Sequence, residues 1–310
     1  MDQRIIDLYD DYVHVHFNRR LFLDRTAKLV GSTSIAAAFL PLLQSNYAHA
    51  QTVPEHALNI TSERVSFPGA TGQVQGYLAA PGYSIQWKRS QISGAVMTPI
   101  VRPLRGMDQW GSIVVVHQNR GLNAHIEDIA RRLAQVGYTA LAVDFLSPAG
   151  GTPTTEEEAM PLFSQLDAQQ TDANAVAAVQ WLRRLESSNG KVGAIGFCWG
   201  GGVVNRLAAN DPNLSAAVPY YGNTVDAADV PRIRAPLLLN YADPALDTRL
   251  GGLLPAYEAA LRANGKQFTL YTYEGAQHAF NDNTNQARYN RAAAELAWSR
   301  TLAFLAEHLS

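Results

Sequence analysis

The chain has 310 residues, 47% of them hydrophobic and 17% charged, with a net charge of -2; that length and composition bury a full core and exclude a disordered chain. The near-neutral balance leaves no basic field for nucleic acid and no run of like charge for a surface-binding tail, so a small molecule is the expected partner. A single cysteine, Cys198, excludes an internal disulfide and a CxxC metal pair, and no metal or organic cofactor is implied.

Residues 1–50 read as a targeting segment. Arg19 and Arg20 are followed by Phe22, Leu23, Arg25 and Lys28, then by an uncharged stretch from Leu29 to Leu43 that ends at Ala48-His49-Ala50. A positive region, a short apolar region and an A-x-A site form an export pattern, and the apolar region is too short to span a bilayer. The paired arginines give it a twin-arginine character, although eighteen residues precede them and Asp24 stands where a basic residue is commoner. The expectation is recognition by the twin-arginine export machinery, cleavage near Gln51, and a periplasmic or secreted domain over 51–310 with no membrane contact. The alternative is an amphipathic N-terminal helix on a cytoplasmic protein.

From Leu58 to Ala80, two alternating runs flank Pro68-Gly69-Ala70-Thr71-Gly72 and predict an antiparallel hairpin. Residues 81–111 show no clear period and are expected to form a long loop or lid. Strand and helix signals then alternate: strand 112–117, helix 124–137 closed by Gly137, strand 138–145, a Thr-rich cap with an acidic first turn near 152–158, and helix 172–187. Further on come strand 191–197, a helix after Cys198, strands 214–222 and 235–243, helix 254–265, strand 266–275 and a terminal helix from about Gln286. This order predicts an α/β fold with a mainly parallel central sheet and helices on both faces.

Cys198 falls between a buried strand and a helix, within Gly196-Phe197-Cys198-Trp199-Gly200. That small-x-nucleophile-x-small spacing is the form of a nucleophile elbow, in which a strained turn lifts the central side chain out of the sheet. The start of the following helix favours a thiolate. A thiol nucleophile needs a base, and the base a carboxylate. His278, on a loop after the last strand, is the best placed of the eight histidines. His117, at a strand end, suits a role orienting its neighbours, and Asp243 and Asp247 both stand where the acid is expected. Phe197, Trp199, Tyr220 and Tyr221 suit an acyl pocket or the core equally.

Three stretches, "GFCWGGG" (196–202), "HQNRGLNAHIEDIARRLA" (117–134) and "GAQHAFND" (275–282), resemble the dienelactone hydrolase family of α/β-hydrolases, with further likeness at Tyr220-Tyr221-Gly222 and "SRTLAFL" (299–305). The resemblance runs from about Thr61 to the C-terminus. It implies an α/β-hydrolase fold, Cys198 as nucleophile, His278 as base, and backbone N–H groups of Asn119 and Trp199 as oxyanion donors. It also favours Asp247 as the acid, since Leu246-Asp247-Thr248-Arg249 precedes Pro255-Ala256-Tyr257-Glu258. Two positions depart from the family: Gln118 replaces a glutamate that contacts the thiol, and Asp282 stands where a substrate-binding arginine is found four residues after the histidine. A dienelactone is therefore not the expected natural substrate, and Arg120 is a candidate for holding a substrate anion or for a helix–loop ion pair. The expected activity is hydrolysis of small carboxylic esters or lactones through a thioester. The alternative is an exported binding or redox-sensing thiol protein on the same fold.

Overall fold

In the computed structural model the described residues are 3–14, 19–30, 36, 46, 50–89, 97–103 and 109–310. Most of the apolar stretch of the N-terminal segment, with Ala48 and His49 of the A-x-A site, and residues 90–96 and 104–108 of the 81–111 segment lie outside them. Among the described residues no helix is long and apolar enough to cross a membrane.

Two helices open the chain, α1 (Gln3–His14) and α2 (Arg19–Val30). The predicted hairpin follows as β1 (Ile60–Gly69) and β2 (Gly72–Pro81), paired antiparallel. Residues 81–111 contain an antiparallel ribbon rather than only a loop: β3 (Tyr83–Arg89) pairs with β4 (Met97–Pro103). Pro99 and Pro103 explain why the run does not read as strand. Proline cannot donate to a ladder, yet a ribbon with open edges tolerates it.

The remaining elements are β5 (Trp110–Val116), α3 (Ala124–Gln135), β6 (Thr139–Val143), α4 (Glu156–Phe163), α5 (Ala168–Arg183), β7 (Ser188–Phe197), α6 (Trp199–Asn210), β8 (Ala216–Tyr220), β9 (Leu237–Ala242), a single turn α7 (Thr248–Gly251), α8 (Leu254–Ala263), β10 (Phe268–Tyr273) and α9 (Arg291–Leu309). Two boundaries moved. The helix expected at 172–187 begins at Ala168, because Asp167 accepts from the Gln170 N–H and caps it. The terminal helix begins at Arg291 behind an Asn290 cap.

Eight strands form one sheet in the order β1-β2-β6-β5-β7-β8-β9-β10, antiparallel as far as β6 and parallel from β6 to β10. The interior strands are unbroken apolar runs, such as Ile113-Val114-Val115-Val116, fully buried as a sheet covered on both faces requires. Helices α3 and α9 cover one face and α5 and α6 the other. Parallel pairing turns the carboxyl ends of β5 to β10 to one side, where ligands bind in open α/β sheets.

Candidate active site

Cys198 follows β7 directly with φ 56° and ψ -117°, in the left-handed half of the backbone map. The turn forms because its neighbours lack a Cβ: one on Gly196 would strike the Gly200 carbonyl, and one on Gly200 would strike the carbonyls of Val116 and His117. Strand, helix and the loop after β5 therefore meet at van der Waals distance around the sulfur. The Cys198 N–H donates to the Tyr220 carbonyl at 3.0 Å, and its carbonyl accepts from Gly202 N–H at 3.2 Å as the first bond of α6. Among the described residues the non-glycine positions with positive φ are Cys198, Tyr221 (37°) and Ala279 (66°). They follow β7, follow β8 and adjoin His278. Strain gathered at one place in this way is characteristic of functional sites, where the surrounding fold enforces it.

The loop after β10 brings His278 to the same place. Its Nδ1 lies 2.7 Å from Asp247 Oδ2, and both side chains are buried. Asp243 is engaged elsewhere, accepting from the N–H groups of Ala245 and Gly275 at 2.9 Å each. Of the two aspartates left open by the sequence, Asp247 is thus the one that meets the histidine. Burial opposes charge on His278, but Asp247 and then Cys198, which also hydrogen-bonds the ring, outweigh it and carry the pKa from 6.5 up to about 10. Burial likewise works to raise Asp247, and the histidine overcomes it, lowering the carboxyl to about 2.

These shifts set a stability profile. The Asp247 contribution is present above about pH 4 and lost as pH falls towards about 2, whereas that of His278 is complete below about pH 6.5 and lost as pH rises through about 10. The pair stabilises the fold most between about pH 4 and 6.5. The melting temperature of His278→Ala should therefore fall furthest below wild type in that window, with the gap closing on both flanks. A gap independent of pH would contradict the charged pair.

The loop 117–120 comes level with the elbow because Val116 pairs with Gly196. His117 Nδ1–H donates to the Gln118 carbonyl at 2.7 Å, and Nε2 accepts from the Phe145 N–H at 3.1 Å. Burial pushes its pKa down, and its neutral ring stacks on Trp199 with centroids 5.4 Å apart and planes at 13°. His117 thus braces Asn119 on one side and the first residue of α6 on the other. Asn119 is buried within this loop. Gln118 is held by Asp282, its Nε2 donating to Oδ2 at 3.0 Å, while Asp282 Oδ1 accepts from the Thr284 N–H at 2.9 Å. Both departures from the family pattern therefore belong to one hydrogen bond: an amide and a carboxylate complement each other where two carboxylates would repel. The Tyr221 ring lies 5.1 Å from that of His278. Burial first, and then Asp282 and Cys198, keep its phenol protonated.

Arg120 is buried. Its guanidinium pairs with Glu156 of α4 at 2.7 Å and donates to the Tyr9 phenol of α1 at 3.0 Å. Two features escaped the sequence reading. Asp144, after β6, accepts from the N–H and hydroxyl of Thr152, whose oxygen accepts from Leu122 N–H at 2.8 Å, so it steadies the loop of Asn119 and Arg120. The short Asp282-x-Thr284 turn was the local sign that Asp282 is fixed by its own backbone. Arg288, beside Tyr9, carried no such sign.

A strained strand-to-helix turn at Cys198, a buried histidine paired with a carboxylate, and eight mainly parallel strands are the features of an α/β-hydrolase fold. Residues 97–309 match the model of the dienelactone hydrolase family, and the chain belongs to that family. Residues 1–29 match a separate model described as YqhI-like. A Bradyrhizobium protein under the name "Probable 2-oxo-3-(5-oxofuran-2-ylidene)propanoate lactonase" is 30% identical over 213 residues, covering 64% of this chain and 84% of its own. An Escherichia coli O157:H7 protein named as a candidate carboxymethylenebutenolidase is 31% identical over 221 residues, covering 67% and 80%. The crystal structure of a candidate dienelactone hydrolase from Klebsiella pneumoniae subsp. pneumoniae MGH 78578 superposes with a TM-score of 0.63 at 26% identity, covering 80% of this chain and 98% of that one. The protein is a dienelactone hydrolase-like hydrolase.

Proposed function

We propose that the protein hydrolyses small carboxylic esters or lactones through a thioester on Cys198, with His278 and Asp247 completing the catalytic set. The observation that carries this reading is the chain of contacts from Asp247 through His278 to Cys198, at a strained turn directly after β7, at the carboxyl end of the sheet.

In the first half-reaction the Cys198 thiolate attacks the carbonyl carbon. The new C–S bond forms as the carbonyl π pair moves onto oxygen, where the backbone N–H groups of Asn119 and Trp199 receive it. The tetrahedral species collapses, the C–O bond to the alcohol breaks, and the leaving alkoxide takes the proton of the His278 imidazolium. In the second half, neutral His278 removes a proton from water; the hydroxide attacks the thioester and the thiolate departs, restoring the ion pair. Gln118, an amide tied to Asp282, cannot take a proton from sulfur, so the thiol depends on His278 for its ionisation.

p-Nitrophenyl acetate and the full chain test this. A burst of p-nitrophenolate approaching one per chain, followed by slower turnover, is the expected result. No turnover with rapid peroxide oxidation of Cys198 would instead mark a redox-sensing thiol.

Export through the twin-arginine machinery to the periplasm or beyond, with removal of residues 1 to about 50, is proposed alongside. Arg19 and Arg20 are exposed on α2 in support of it. Replacing both by lysine should leave the uncleaved chain in the cytoplasm; unaltered secretion would refute the export reading.

A further inference from the structure

Asp282 lies on the loop that carries His278, four residues further on. Its backbone N–H donates to the Ala279 carbonyl at 3.0 Å and closes a turn directly behind the histidine. Asp282 is 3% exposed. Its carboxylate takes three neutral donors: Gln118 Nε2 on Oδ2 at 3.0 Å, and the Thr284 N–H at 2.9 Å and hydroxyl at 2.5 Å on Oδ1. The imidazole of His125, at the start of α3, is close but turned to another partner. Its Nδ1 is 3.8 Å from Asp282 Oδ1, beyond a hydrogen bond, and 3.1 Å from Asn283 Oδ1, to which it donates. Among the described residues no lysine or arginine forms an ion pair with Asp282.

A carboxylate buried without a bonded cation is an expensive feature for a fold to keep. Burial works against its charge, but His125, the Thr284 donors and lastly Arg120 outweigh it, so the carboxyl stays below its ordinary value and is ionised at neutral pH. Arg120, the weakest of these influences, already faces Glu156 at 2.7 Å. Neutral donors hold a carboxylate in place without cancelling its charge, as a paired guanidinium would. The negative field is therefore left to act on its surroundings, and those are the catalytic loops. Gln118 ties Asp282 to the residue before the proposed oxyanion donor Asn119, and the turn at Ala279 ties it to His278. The Tyr221 phenol, whose ring is 5.1 Å from that of His278, feels the charge of Asp282 ahead of that of Cys198. A buried group kept ionised beside a reactive centre marks a functional role.

We propose that Asp282 sets the charge preference at Cys198: it disfavours esters and lactones with a carboxylate near the reacting carbonyl and favours those with an ammonium group there, uncharged substrates falling between. An acyl group held between His278 and the Asn119 loop sits beside this uncancelled negative charge, so an anionic group is repelled and a cationic one drawn in. The ester or lactone in this statement rests on the function proposed above; the charge preference around the sulfur does not.

Cys198 is the only cysteine, so alkylation read by intact mass reports the field at the sulfur without any ester being turned over. The full chain and its Asp282→Asn and Asp282→Ser variants are each treated with iodoacetate, iodoacetamide and (2-bromoethyl)trimethylammonium, which are anionic, neutral and cationic. Asparagine keeps the shape and an oxygen for Thr284, and the Gln118 amide can turn to complement it. Serine is smaller, so an effect common to both variants follows charge and not packing. Rates are taken as variant over wild type for each reagent, which cancels the leaving-group chemistry; a change in the thiol's own ionisation multiplies all three ratios alike. Relative to iodoacetamide, both variants should raise the iodoacetate ratio roughly fivefold and lower the ratio for the cationic reagent by a similar factor, as removal of one nearby unit charge requires. Equal ratios for the three reagents would overturn the proposal. The expected split with no ester turnover by wild type would remove the hydrolytic reading and leave the charge preference standing; turnover with equal ratios would do the reverse.

Discussion

Cys198→Ala is expected to reduce p-nitrophenyl acetate hydrolysis on the order of 10⁵-fold, to the level of background, as loss of the nucleophile does where the members of a triad act as a unit. The fold should survive, because Cys198 needs its left-handed conformation for backbone reasons that alanine shares, and the glycines around it are unchanged. Cys198→Ser tests the chemistry more finely. Serine keeps the size and the hydrogen bond to His278 but offers an alkoxide that is much harder to form than a thiolate, since the ion pair with the imidazolium that favours sulfur does little for a group that ionises so reluctantly. It should retain a small part of the activity and accumulate an oxygen ester in place of a thioester. Full activity in Cys198→Ala would mean that hydrolysis occurs elsewhere on the protein.

The second large effect is expected at Asp247. Asp247→Asn should cost on the order of 10⁴-fold in turnover, because an amide can hold the imidazole in the wrong tautomer and no longer stabilises its charge. Asp243→Asn should leave turnover within about threefold of wild type, since that carboxylate serves the N–H groups of Ala245 and Gly275 at the loop base rather than His278. The pH profile separates the two variants further. Losing Asp247 removes the strongest influence raising the His278 pKa, so the imidazolium should lose its proton at lower pH, and the thiol, with less positive charge beside it, should ionise at higher pH. Iodoacetamide alkylation of Cys198 measured against pH reads this directly. Equal losses in the two aspartate variants would reject the assignment.

Much of this was legible in the sequence, for reasons that differ from one element to the next. The elbow could be read because its signal is local: a buried apolar strand, one nucleophile, and glycines two residues to either side where strand and helix must touch. The alternation of strands and helices after residue 111 gave the sheet, since buried parallel strands are unbroken apolar runs and their covering helices carry a 3.6-residue period. His278 followed from its place after the last strand. The spacing alone left Asp243 and Asp247 open and the resemblance favoured Asp247; that Asp247 meets His278 while Asp243 serves the N–H groups of Ala245 and Gly275 is visible only in three dimensions. The ribbon at 83–103 was masked by its prolines, which an edge permits. The bond between Gln118 and Asp282 spans 164 positions, and the contact of Tyr9 with Arg120 spans 111; neither leaves a periodic trace, so two departures from a family pattern, and an N-terminal segment with the look of a signal, gave no hint that each had a partner.

The central claim is that a carboxylic ester transfers its acyl group to sulfur. Its most direct test is to stop the reaction of the full chain with p-nitrophenyl acetate during the burst, digest at low pH where thioesters persist, and locate the acetyl group by peptide mass. The account predicts acetyl on Cys198 within the peptide containing Phe197 and Trp199, removed by hydroxylamine and absent from Cys198→Ala. Turnover without any acyl peptide, or acetyl on a residue other than Cys198, would contradict it.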